Sequence, residues 1–248
     1  DNRALKDFMS GKERSTMVGL FGRVNYNYLQ KYFVAITLRR DASSKFGDNV
    51  RWGTFPSYAV AWTFTREGFM DWSRGILDHG KIRASYGKSG RQFDQPYIAQ
   101  GLLLPGDPFM GNPTIRPDLM RGLANKELTW EETEQYDFGL DLEMFDHRVS
   151  VVLDYYYRYT DKLLYPVMLP GNYSAFNRQW RNAYAISNEG IEFEIKFDAI
   201  RKKDWNWNVG FNIARNWNRL EKSEDNRDFS NSEYKDNISV IGKPLNGI

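Results

Sequence analysis

The stretch that decides the fold class is residues 135–144, which reads QYDFGLDLEM. Its even positions are apolar or aromatic, and its odd positions are glycine or polar, with acids at Asp137, Asp141 and Glu143. A period of two predicts a β-strand with one apolar and one polar face. A charge that faces lipid costs about 2–4 kcal/mol for Lys or Arg and less for acids, so the charged face must meet water.

The same alternation recurs on both sides of this stretch. The predicted strands span residues 17–28, 31–40, 57–64, 80–88, 133–145, 148–160, 188–198 and 205–217. Most have about 9–12 residues, which exceeds the about 5–6 of a usual globular strand and suits a tilted membrane crossing. The sequence therefore predicts an all-β fold with about eight strands of a transmembrane antiparallel β-barrel, a number that could close a small barrel by itself.

The connections between these strands alternate in length. Short ones are predicted at residues 29–30, 146–147 and 199–204, and long ones at 41–56, 89–129, 161–187 and from 218 onward. Short turns at one end and long loops at the other are typical of outer-membrane barrels. The connection at 66–80 is an exception, because it belongs to the short-turn end but has room for a helical turn. A soluble β-sandwich would also show alternation, but the difference in loop length favours the barrel.

Composition excludes several functions. The chain has 34 Lys and Arg against 32 Asp and Glu, so no nucleic-acid partner is predicted. It has no cysteine, which excludes disulfides and thiol catalysis, and its 2 histidines lack a metal-binding spacing. Glu192 and Glu194 resemble a glycosidase pair by spacing, but charge lining a lumen explains them better. We predict no enzyme activity, metal or cofactor.

The long connections contain the candidate binding residues. Aromatic side chains stack on sugar rings or pack against a partner, and arginines donate hydrogen bonds to polar ligands. The alternative is that these side chains only fold the loops onto themselves. The candidates are Tyr97, Tyr173, Phe176, Arg178, Trp180 and Arg181.

An ordered set of motifs resembles the SusC/RagA family of TonB-linked outer-membrane proteins. The motifs are GRVNYNY (22–28), LRRDASSKFG (38–47), RWG (51–53), KIRASYG (81–87), LTWE (128–131), QYDFGLD (135–141), DYYY (154–157) and NEGIE (188–192). The likeness covers most of residues 17–218 and departs from the family at 87–91 and 182–187, both in predicted outer loops.

The resemblance implies that the chain is a partial segment, of about eight strands, from a bacterial outer-membrane barrel of about 22 strands that an N-terminal plug fills. It also implies a TonB box, a SusD-like surface lipoprotein as partner, and glycans or peptides as cargo. The plug and the TonB box are not in this chain, which we expect to be an internal piece of a longer protein.

Three functions follow from these observations. The first is TonB-dependent import of oligosaccharides or peptides, with this chain forming barrel wall and extracellular loops in contact with the lipid bilayer. The second is a structural or docking barrel in a larger surface complex without transport of its own. The third, which has less support, is a secreted glycan-binding β-sandwich.

Overall fold

The computed structural model describes residues 14–94, 97–119, 121–169, 176–224, 229–230 and 238–245. The strands in chain order are β1 Met17–Tyr28, β2 Tyr32–Ser43, β3 Trp52–Trp62, β4 Leu77–Arg91, β5 Leu103–Phe109, β6 Asn112–Pro117, β7 Glu131–Met144, β8 Val149–Met168, β9 Arg178–Arg201, β10 Asn206–Lys222, β11 Phe229–Ser230 and β12 Ile238–Ser239. Eight of them form one antiparallel sheet in the order β1-β2-β3-β4-β7-β8-β9-β10. The predicted all-β antiparallel architecture is confirmed; within the described residues the sheet is open, with β1 and β10 at its edges.

The tight turns occupy one end of the sheet. Leu29 and Gln30 join β1 to β2 with φ angles of 51° and 53°. Positive φ at both central residues gives a turn whose twist matches that of the strands it joins. Phe145, Asp146 and His147 also have positive φ, between β7 and β8. At the same end, the connection between β3 and β4 contains two short 3₁₀ helices, Phe64–Arg66 and Gly68–Ser73, where the sequence leaves room for a helical turn.

Several predicted boundaries differ from the observed ones. The strand predicted at 57–64 instead spans Trp52–Trp62, and the predicted long connection at 161–187 is mostly strand, because β8 continues to Met168 and β9 begins at Arg178. The connection at 89–129 contains the hairpin of β5 and β6. Residues 87–91 and 182–187 were predicted as outer loops, but they lie within β4 and β9.

The sheet has an apolar face and a polar face, and we use these names throughout. On the apolar face Tyr58, Tyr86, Tyr136 and Tyr157 stand opposite one another on β3, β4, β7 and β8. The ring centroids of successive tyrosines in this row, from β3 to β8, are 6.2, 4.9 and 6.5 Å apart. At about 3.4 Å per residue and a tilt of about 40°, the β7 stretch from Tyr136 to Met144 rises roughly 20 Å, close to the about 25 Å apolar band of outer-membrane barrels.

Candidate functional site

An ion-paired network occupies the centre of the polar face. Arg83 on β4 holds Asp141 on β7 through two parallel hydrogen bonds, both 2.8 Å long. Its Nη2 also donates to Asp154 on β8, at 2.9 Å. Bidentate pairing of this kind fixes geometry as well as charge. The network therefore ties three neighbouring strands together on one face.

Gly139 makes this arrangement possible. It lies on β7, two residues before Asp141 and on the same face, because side chains alternate along a strand. A Cβ at Gly139 would lie 2.5 Å from Asp154 Oδ1 and 2.6 Å from the Arg83 guanidinium. The missing side chain leaves the space that the guanidinium and the carboxylate share.

Further groups of hydrogen-bonded side chains lie along the polar face towards the long-connection end. Ser85 and Gln135 donate to Asp137, at 2.9 and 2.7 Å. Arg158 donates two hydrogen bonds to Gln135, the shorter of which is 2.9 Å long. The Tyr156 hydroxyl donates to Asn216 on β10, at 3.2 Å. A groove of about 690 Å³ runs over these side chains, and Glu192 also lines it. The predicted assignment of Glu192 to the polar face agrees with this position.

A second, less polar cavity lies beside the network. It has a volume of about 380 Å³, and its lining includes Phe33 and Ala35 of β2 with Ala59 and Ala61 of β3. The small side chains of these three alanines create the space for the cavity. Beside it, the Lys81 Nζ lies 5.3 Å from the centre of the Phe33 ring. Around this cavity the polar face is apolar on β2 and β3, and it becomes charged on β4 and β7.

The long connections and the adjoining ends of β3, β8 and β9 pack together into a compact cluster, which we call the loop core. Its buried members are Phe46, Phe55, Phe93, Ile98, Ala99, Leu128 and Trp130, and the half-buried Val50, Leu164 and Trp180 pack against them. Trp130 is central: its ring lies 4.8 Å from that of Phe46 and 5.6 Å from that of Phe55. Its Nε1 donates to the carbonyl of Arg51, at 3.1 Å. Connections that are distant in sequence therefore share one buried interior.

One of the predicted binding residues packs against this cluster, and another lies next to one of its members in the chain. Trp180 packs against the loop core, and its carbonyl accepts a hydrogen bond from Asn125 Nδ2, at 2.8 Å. Tyr97 immediately precedes the buried Ile98, has a φ of 65°, and its hydroxyl accepts a hydrogen bond from the backbone of Arg14, at 3.3 Å. Both positions are compatible with the alternative that these aromatic residues fold the loops onto themselves.

The other predicted residues are separated by the alternation of β9. Arg178 and Trp180 share one face of the strand, whereas Arg181 points to the other, as neighbouring residues of a strand do. Arg181 pairs with Glu224 and donates to Gln179, at 2.8 Å. Phe176 lies half-buried just before β9, and Tyr173 lies outside the described residues. The two arginines thus do not form one site.

Two further observations concern the part of the chain that the structure describes. No helix there is long and apolar enough to cross a membrane. The same residues contain no group of 3 or more His, Cys, Asp or Glu side chains that could hold a metal ion.

Known relatives agree with this architecture. The family described as TonB dependent receptor-like, beta-barrel matches residues 2–248. The chain is 38% identical over 212 residues to TonB-dependent receptor P3 of Formosa agariphila, and 34% identical over 218 residues to TonB-dependent receptor SusC of Bacteroides thetaiotaomicron. These alignments cover 86% and 84% of the chain but only 21% of each relative, so the chain spans about a fifth of their length.

Solved structures of outer-membrane transporters have the same fold as this chain. The RagAB peptide transporter superposes with a TM-score of 0.84 at 25% identity, over 93% of this chain and 25% of that one. The FrpB iron transporter from Neisseria meningitidis superposes with a TM-score of 0.58 at 16% identity, over 87% of this chain and 28% of that one, which shows the fold alone.

The two faces of this sheet, together with these relatives, identify it as the wall of an outer-membrane β-barrel, in which the apolar face meets lipid and the polar face lines the lumen. The chain belongs to the TonB-dependent receptor-like β-barrel family, in its SusC/RagA group, and the match is to the barrel region only. Family membership removes the β-sandwich alternative.

Proposed function

We propose that the protein imports oligosaccharides or peptides across the outer membrane with energy supplied through TonB. This chain forms barrel wall and extracellular loops, and performs no reaction chemistry of its own. The observation that carries the proposal is the hydrogen-bonded network on the polar face, because ion pairs of this density require a wet lumen or a polar domain packed into it. SusC and the RagAB peptide transporter, which the chain resembles, support import as the activity.

We assign each proposed partner to a different part of the wall. A SusD-like surface lipoprotein would cover the loop core, where several connections present one joined surface. A plug domain outside this chain would pack on the polar face, and its TonB box would contact TonB. The structural or docking barrel remains the second hypothesis, and it differs by having the lipoprotein partner without uptake.

Uptake by whole cells tests the proposal. Cells that express the full-length protein receive a labelled oligosaccharide pool or a labelled peptide pool, and matched cells lack either the gene or TonB. We expect accumulation of one pool, lost in both deletion strains. Accumulation that persists without TonB would contradict the proposal, and co-purification of the lipoprotein with no uptake of either pool would favour the docking barrel.

We further propose that ligand contacts residues at and near the loop core, among them Tyr97, Phe176, Arg178 and Trp180. The matched pair Arg178→Ala and Arg181→Ala tests this, because both change the same residue type on β9 but on opposite faces. We expect Arg178→Ala to weaken ligand binding to the purified full-length protein by about tenfold, the equivalent of about 1.4 kcal/mol. Arg181→Ala should leave the affinity unchanged, and equal effects would refute the assignment.

A further inference from the structure

The connection between β3 and β4, residues 64–76, carries two exposed aromatic side chains on one side. Within the 3₁₀ helix Gly68–Ser73, the period of about three residues aligns Phe69 with Trp72. They are 63% and 77% exposed. Asp71 and Arg74, also three apart, are joined by a 2.7 Å hydrogen bond. The segment is thus amphipathic, with an aromatic side and an ion-paired side.

The segment is tethered to the apolar face of the sheet. Glu67 accepts hydrogen bonds from the Tyr32 hydroxyl at 2.7 Å and from Trp62 Nε1 at 3.3 Å. Tyr32 and Trp62 stand directly opposite each other on β2 and β3, on the face that carries the lipid-facing side chains. Lys31 completes the tether with a 3.0 Å ion pair. The segment therefore folds back over the lipid-facing rim and not under the lumen.

Aromatic contacts confirm this position. The Trp62 ring lies 6.0 Å from that of Phe64 and 6.3 Å from that of Phe69. Phe64 covers Gly80 so closely that a Cβ there would lie 2.4 Å from the ring. Gly80 also exchanges hydrogen bonds with the Thr65 hydroxyl, the shorter at 3.0 Å. The aromatic surface of the barrel rim is thus continuous with the segment.

We propose that residues 64–76 are an interfacial membrane anchor that inserts Phe69 and Trp72 into the phospholipid leaflet on the short-turn side of the outer membrane. The occupant is phospholipid because the aromatic side continues the lipid-facing surface without a break. Trp is favoured where an apolar body meets the headgroup layer. The Asp71–Arg74 pair, on the other side, stays in the aqueous phase, as the polar side of an interfacial helix does. This anchor is independent of cargo and of transport.

Depth-dependent fluorescence quenching tests the anchor in the full-length protein. This chain has no cysteine, so single cysteines are introduced as Phe69→Cys, Trp72→Cys and Asp71→Cys after replacing any others in the full protein by serine. Tyr28→Cys, on the apolar face beside the first tight turn, is the membrane reference. Each variant is labelled with a bimane and reconstituted into vesicles of phosphatidylethanolamine and phosphatidylglycerol, with or without brominated acyl chains.

We expect brominated lipid to reduce the emission at positions 69 and 72 as much as at position 28, and aqueous iodide to reduce it less than at position 71. The proposal is overturned if position 72 matches position 71 in both measurements, or if both quenchers fail there, which would mean that protein covers the segment. Each variant is first checked for the heat-dependent gel mobility of a folded barrel. The variant Glu67→Gln, which weakens the tether without touching the aromatic side, should reduce lipid quenching at position 72.

Discussion

Replacing Gly139 by alanine tests the reasoning about the polar face most directly. The new methyl group would lie 2.5 Å from Asp154 Oδ1 and 2.6 Å from the Arg83 guanidinium, far inside contact distance. Either the arginine or the aspartate must move, so at least one hydrogen bond between charged groups is lost. Such a bond contributes about 1.5–3 kcal/mol when shielded and about 0.2–1 kcal/mol when exposed. Because the side chains of Arg83 and Asp154 are 37% and 32% exposed, we expect a loss of about 1–2 kcal/mol in the free energy of unfolding.

The matched control is Gly210→Ala on β10. A Cβ at Gly210 would meet only Lys196 Cγ at 3.7 Å, an ordinary contact, so this variant should be neutral or more stable by up to about 1 kcal/mol, the usual cost of glycine in a strand. The folded fraction of the full-length protein is followed in urea by gel mobility without heating. The double variant Arg83→Ala/Gly139→Ala separates the causes, because the alanine should cost less once the guanidinium is gone. Equal stability of the two single alanine variants, or an undiminished cost in the Arg83→Ala background, would refute the reasoning.

Three further predictions concern the loop core, the anchor segment and the sheet edges. Trp130→Phe removes the donor to the Arg51 carbonyl and should lower the free energy of unfolding by about 1–3 kcal/mol; unchanged urea stability would count against a structural role. The hydrogen bonds from Tyr32 and Lys31 lower the pKa of Glu67 below the ordinary glutamate value of about 4.3. The tether is therefore complete above that ordinary value, and it is lost as the pH falls through the lowered pKa of Glu67. Iodide accessibility at position 72 should therefore rise only in acid, and Glu67→Gln should show no such step. Residues 1–248 expressed alone should aggregate through the two edge strands, and a soluble monomer with native β content would contradict this.

The alternation of side chains predicted most of the sheet, and the places where it failed have physical causes. In β8 the alternation breaks after Thr160, where the register with β9 shifts and Lys162 takes a φ of 57°. A bulge adds a residue without ending the pairing, so the sequence pattern stops while the strand continues. For this reason the outer ends of β8 and β9 were predicted as a loop.

Proline explains the displaced start of β3. Pro56 lacks an N–H group, and the predicted connection at 41–56 ends on it. The part of β3 before Ser57 pairs with β2 but not with β4, so Pro56 occupies a locally unpaired edge, where proline is tolerated. The register decides which residues of a strand pair with one neighbouring strand and which pair with two. A single sequence does not contain that register.

The candidate site was predictable in kind but not in arrangement. The acids of residues 135–144 indicated a charged inner wall, yet their pairing with Arg83 depends on how β4 and β8 align with β7. The six binding candidates were chosen because aromatic and basic residues cluster in the long connections. Had β9 been recognised from Arg178 onward, the same alternation would have placed Trp180 and Arg181 on opposite faces. The loop core was missed because its members come from connections far apart in the chain.

The loop core has a mechanical consequence. Phe46, Phe93, Leu128 and Trp180 come from four different parts of the chain but share one buried interior. Close-packed interiors have low compressibility and transmit strain. A displacement of one of these segments is therefore transmitted to the others through their packing.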